Sequence, residues 1–148
     1  MTHTDQVSVL SLAIQSLLTN NKTTLGLADV LFGNQTMIPN SPTAVVIPGP
    51  KRKVLAGVAA PGGRTMNTLI VYIDVQNMRV GVEATERLFV TQLAETVETF
   101  LNKDTTVGGI VIHGFVEQAI PGETFLQNGE FRTVRLVFAA QTKTYLST

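Results

Sequence analysis

Residues 67–76 read NTLIVYIDVQ, and the fold of the chain turns on them. β-branched and aromatic residues dominate the run, and such side chains suit a pleated, half-buried surface. Leu69, Val71, Ile73 and Val75 share one face of the strand this predicts. That face is wholly apolar and belongs in a core. Ile70, Tyr72 and Asp74 share the other, a mixed face suited to water or to a neighbour.

Toward the C-terminus, residues 83–101 carry Phe89, Val90, Leu93, Val97, Phe100 and Leu101 at helical spacing. Glu83 and Glu86 stand in the first turn of this predicted helix, where negative charge complements the helix dipole. GGIVIHGFVEQAI, residues 108–120, is a strand candidate with Gly114 placed for a bulge. Pro121 and Gly122 suit a type II turn, and Asn128 with Gly129 signals a two-residue hairpin loop. Residues 130–141 form the last strand, with Val134, Leu136, Phe138 and Ala140 on one face.

Toward the N-terminus, Leu10, Ala13, Ile14, Leu17 and Leu18 draw one apolar stripe along a helix over residues 5–18. Thr4 or Asp5 can cap its exposed amides, and the polar run TNNKTT at 19–24 ends it. LADVLF, between Gly26 and Gly33, reads as a short helical turn or a strand. In IPNSPTAVVIPGP, residues 38–50, prolines punctuate a short strand over 43–47. This order predicts a single α+β domain over residues 1–148. Its one sheet, mainly antiparallel or mixed, is covered on one face by two helices.

Between the two middle strands lies GPKRKVLAGVAAPGGR, residues 49–64. The segment from residue 30 to residue 73 holds no acid, while Lys51, Arg52, Lys53 and Arg64 give it four positive charges. Glycines and alanines make a long, flexible insert, and Val54, Leu55 and Val58 can pack when a partner arrives. The expectation is a projecting arm or loop over 49–65. Its cations keep a solvated loop soluble, or the arm orders on assembly with a partner and meets nucleic-acid phosphates transiently and without sequence preference. Stacking aromatics are missing from it, unlike a single-strand platform.

Composition points the same way. Hydrophobic residues make up 44% and charged residues 15%, against about a quarter charged in an average domain. So little charge implies either a large, well-packed core or a surface partly buried against a partner. Net charge is zero and there is no cysteine, which excludes disulfides and thiolate metal sites. MTHTDQVSVL lacks the pattern of a secretory signal, and no apolar run nears the roughly 20 residues of a membrane span. A protein made in a cytoplasm, with no membrane partner, is expected.

No catalytic set emerges. His3 and His113 are the two histidines, and neither has a second histidine or cysteine at metal-ligand spacing. A small hydrolase using His113 with a serine and Asp74 would need a nucleophile elbow, and none of the serines sits in one. Glu95 and Glu98 suit a solvated helix face, and Glu117, Glu123 and Glu130 suit a solvated hairpin. The glycine pairs in PGGR and TVGGI fit no nucleotide motif. The expectation is a non-enzyme without cofactor or metal. A small hydrolase and a non-specific nucleic-acid-binding module are the lesser alternatives.

Six stretches together resemble a known family. They are VSVLSLAIQSLL, LADVLFG, IPNSPTAVVIPGP, TLIVYIDVQ, EATERLFVTQLAETVETFL and NGEFRTVRLVFAAQ, which span nearly all of residues 5–141. In order and texture the chain is similar to the tail terminator, or tail completion, proteins of long-tailed bacteriophages. The resemblance implies a virion subunit that forms a ring with copies of itself, typically a hexamer. Such a ring caps the last ring of the tail tube protein and meets the head-side connector or stopper, and DNA passes through its channel. It implies no catalytic residues. Other neck or minor tail subunits, which join head to tail, share the same texture.

Overall fold

The computed structural model describes residues 6–55, 64–79, 83–103, 107 and 113–145. Helix α1 (Gln6–Asn20) opens the chain, followed by a single turn, α2 (Lys22–Leu25), and a short strand, β1 (Asp29–Phe32). Strands β2 (Thr43–Leu55) and β3 (Arg64–Met78) precede helix α3 (Glu83–Asn102). Strands β4 (His113–Leu126) and β5 (Gly129–Tyr145) complete the order.

The strands form one mixed sheet in the order β1-β2-β3-β5-β4. β1 runs parallel to β2, and the other neighbours pair antiparallel. Helix α1 packs on β1, β2 and β3, and α3 packs on β3, β4 and β5, both on the same face. The expected α+β architecture is therefore the observed one.

The apolar face of β3 is core, as its alternation requires. Leu69, Val71, Ile73 and Val75 join Val134, Leu136, Phe138 and Ala140 of β5 beneath Leu10, Ile14 and Leu18 of α1 and Val90, Val97 and Leu101 of α3. Each fully buried side chain of this size is worth about 1.5–3 kcal/mol in transfer from water. Phe89, expected in the stripe of α3, is instead 44% exposed, and Leu88 beside it is 58% exposed. The helix presents 90, 93, 94, 97 and 101 to the sheet, and position 89 lies outside that arc.

The mixed face is less open than its composition suggests. Residues 34–42 fold across it and bury Ile38 against Val45 and Phe131. Asn128 pins this loop by donating from Nδ2 to the Ile38 carbonyl at 2.7 Å, and the Gln127 amide donates to the Thr36 carbonyl at 3.0 Å. Arg132 is buried beneath the hairpin, where its guanidinium meets the carboxylates of Glu123 and Glu130. Those two acids thus clamp a buried cation rather than simply facing water.

Four local expectations change. The polar run after α1 supplies the turn α2 and not only a linker. The irregularity in β4 falls between Val116 and Gln118, not at Gly114, which stays in register with Ala140. Gly114 is required for another reason: a Cβ there would lie 2.7 Å from the Phe138 ring. Pro121 and Gly122 make no turn, because β4 runs straight through them. The hairpin loop is Gln127 with Asn128, one residue earlier than expected, since Leu126 pairs with Gly129.

Candidate assembly surfaces

The insert begins as part of the sheet. β2 continues through Pro48, Gly49 and Pro50 with a register shift, then pairs Lys51 with Leu69, Lys53 with Asn67 and Leu55 with Thr65. β5 extends alongside, pairing Tyr145 with Arg64 and Gln141 with Thr68. The arm is thus a three-stranded extension of the sheet, about 16 Å long at about 3.3 Å per residue. The rest of the expected arm, residues 56–63, lies outside the described residues. So does the PGG of PGGR.

Prolines at 48 and 50 are compatible with this ladder because β1 covers only Thr43–Val46 of β2. Beyond β1 the outer side of β2 is a free edge among the described residues, where a missing N–H costs no ladder bond. Gly49 is needed where β2 crosses β3: a Cβ there would sit 2.6 Å from the Ile70 carbonyl oxygen.

Lys51 and Arg52 are exposed. Lys51 Nζ donates to Gln6 Oε1 at 3.4 Å, and the same oxygen accepts from Asn67 Nδ2 at 3.2 Å. The register brings Lys51, Arg52 and Lys53 together on β2 and sets Arg64 on the adjoining β3, three residues beyond Asn67, the partner of Lys53, and about 10 Å farther along the arm. Nothing is described of the side chains of Lys53 and Arg64. The four expected cations therefore lie on one ribbon, spread along it rather than gathered at one point.

The opposite end of the sheet is β4, an edge strand of 14 residues with most positions exposed. Phe115, Ile120 and Phe125 are 42%, 43% and 74% exposed. Glu117 is exposed at the irregularity, where the Val116 amide donates to Asn102 Oδ1 at 2.9 Å. Behind β4, a groove of about 410 Å³ opens between the strand and α3. Ala94, Ala119, Val134 and Leu136 line it together with Glu95 and Glu98.

Asp74 is buried on the loop-covered face and takes a two-pronged contact from Arg135, Nε to Oδ1 at 2.7 Å and Nη2 to Oδ2 at 2.9 Å. The Arg135 guanidinium also lies over the Tyr72 ring, 4.6 Å from its centroid. Hydrogen bonding to Asp74 holds the Arg135 pKa above the usual arginine value, with burial acting the other way. Sequence reading missed this pair because the partners are 61 residues apart. Only strand pairing places Asp74 opposite Arg135.

His113 is exposed at the start of β4, its ring 5.5 Å from that of Phe115. It pairs across the ladder with Gln141, whereas Asp74 is opposite Arg135. Six residues of β5 separate these rungs, about 20 Å. The geometry does not bring His113 to Asp74, and Asp74 is engaged by Arg135. Among the described residues no group of three or more His, Asp or Glu could hold a metal ion. No helix among them is long and apolar enough to cross a membrane.

No family model and no curated protein matches the chain. Twenty-nine chains of solved structures match it. A chain of the structure entitled "Virion of native gene transfer agent (GTA) particle" aligns over 90% of this chain and 94% of its own length, at 14% identity and a TM-score of 0.48. At that identity no residue role passes from it to this chain.

Proposed function

We propose that the chain is a structural virion protein of a phage tail or neck. In this reading it is a ring-forming subunit that caps the tail tube, meets the head-side connector or stopper, and leaves a channel for DNA. The reading starts from the six resembling stretches of sequence. The observation that carries it is the edge strand β4, long, little charged and studded with exposed Phe115, Ile120 and Phe125. A lone soluble domain with such an edge invites aggregation, and a closed ring covers it with the next copy. The chain then acts by assembly and not by catalysis, which fits the separation of His113 from Asp74.

Mixing the purified chain with tail tubes that lack their cap tests this in negative-stain images. The expected result is one ring of added density at the head-proximal end of each tube. Tubes that stay bare at every protein excess contradict the reading. Binding to the connector but not to tubes reassigns the chain to another neck position.

A further inference from the structure

Among the described residues, the two open edges of the sheet lie at its opposite ends and differ in chemistry. One is the outer side of β2 beyond Val46, which carries Lys51 and Arg52 into the arm. The other is β4, backed by the α3 groove with its apolar floor and the carboxylates of Glu95 and Glu98. Glu117 adds a third acid on β4 itself. Two whole strands, β3 and β5, stand between these edges. One copy therefore cannot close its own arm onto its own β4.

We propose that the basic arm of one copy docks along β4 and the α3–β4 groove of the next, so that the subunits join head to tail. This rests on the ring reading above and names the surfaces that meet. The occupant is a second copy because this chain supplies both halves of the match. A free strand edge and a cationic ribbon at one end face a free strand edge and an acid-rimmed apolar groove at the other. Main-chain pairing gives the contact its direction, and the groove gives it apolar burial. The charges set register and exclude the reverse pairing, arm on arm or groove on groove, where like charges would meet. Because the two surfaces differ, the contact is heterologous, and repeating it yields a ring when the rotation closes.

A charge-swap experiment on the full chain tests this, with tail tubes present to nucleate rings. One variant carries Lys51→Glu and Arg52→Glu; the other carries Glu95→Lys and Glu98→Lys. Each alone is expected to weaken ring formation by about tenfold or more, the factor that corresponds to 1.4 kcal/mol. An equimolar mixture is expected to restore it, with the two variants alternating around the ring. Circular dichroism melts of both variants should match the parent, since none of the four side chains is in the core. Parent rings with unaffected variants, or a mixture no better than either variant alone, overturn the arm contact and leave the ring reading standing. A parent chain that forms no ring on tubes overturns both.

Discussion

β2, β3 and β5 each run through two environments, and the contrast between them organises the molecule. Within the body, Ala44 and Val46, Val71 and Ile73, and Leu136 and Phe138 are buried beneath two helices. In the arm the same strands keep their main-chain ladder, but Lys51 and Arg52 are exposed. The body is held by burial, about 25 cal/mol for each Å² of apolar surface removed from water. A ladder without burial is marginal by itself, because hydrogen bonds made at the expense of water contribute little net. The stretch of β2 at exposed Lys51 and Arg52 therefore has more to gain from a partner than the buried body does.

Substitutions can break this contrast, and the largest effect belongs in the body. Phe138→Ala removes a fully buried ring and should cost about 3–5 kcal/mol, read as a lower urea midpoint with an unchanged m-value. Gly114→Val pushes a branched side chain toward the same ring and should cost about 1–3 kcal/mol. Its cost should shrink in a Phe138→Leu background, because the two positions share the space. Arg135→Ala leaves the buried Asp74 carboxylate without its two-pronged partner. The Arg135 side chain is itself 41% exposed, so water tempers the loss to about 1–2 kcal/mol. The raised Arg135 pKa adds stability that is fully present below the ordinary arginine value and fades only above it. This cation should therefore impose no pH dependence between mild acid and mild alkali. Lys51→Glu with Arg52→Glu sits at the small end, within about 0.5 kcal/mol in the isolated subunit. That variant sharpens the comparison if its melt is unchanged while its assembly is lost.

Much of this was legible in the sequence, and the parts that were not share a cause. β3 and α3 read clearly because their periodicities are long and unbroken, and the buried faces of β3 and β5 were placed correctly. Phe89 misled because helical spacing alone does not fix the width of the buried arc. The proline-containing segments misled more. Pro48 with Pro50, and Pro121 with Gly122, look like strand ends or turns, yet both lie inside strands. They are tolerated because each strand is an edge there, a property of sheet order and not of local sequence. Ile38 and Asn128, 90 residues apart, carry no local sign that one pins the other's loop. At the candidate surfaces, the basic ribbon was visible as a charge run, while the groove between α3 and β4 exists only once the helix is laid on the sheet.

In the function proposed above, this chain works as one member of a closed ring. The most direct measurement is the mass of the species released intact from capped tail tubes, by light scattering or native mass spectrometry. The account predicts a single mass at a fixed multiple of the 15.9 kDa chain, with DNA still able to pass the capped end. A monodisperse monomer that never joins a tube would contradict it.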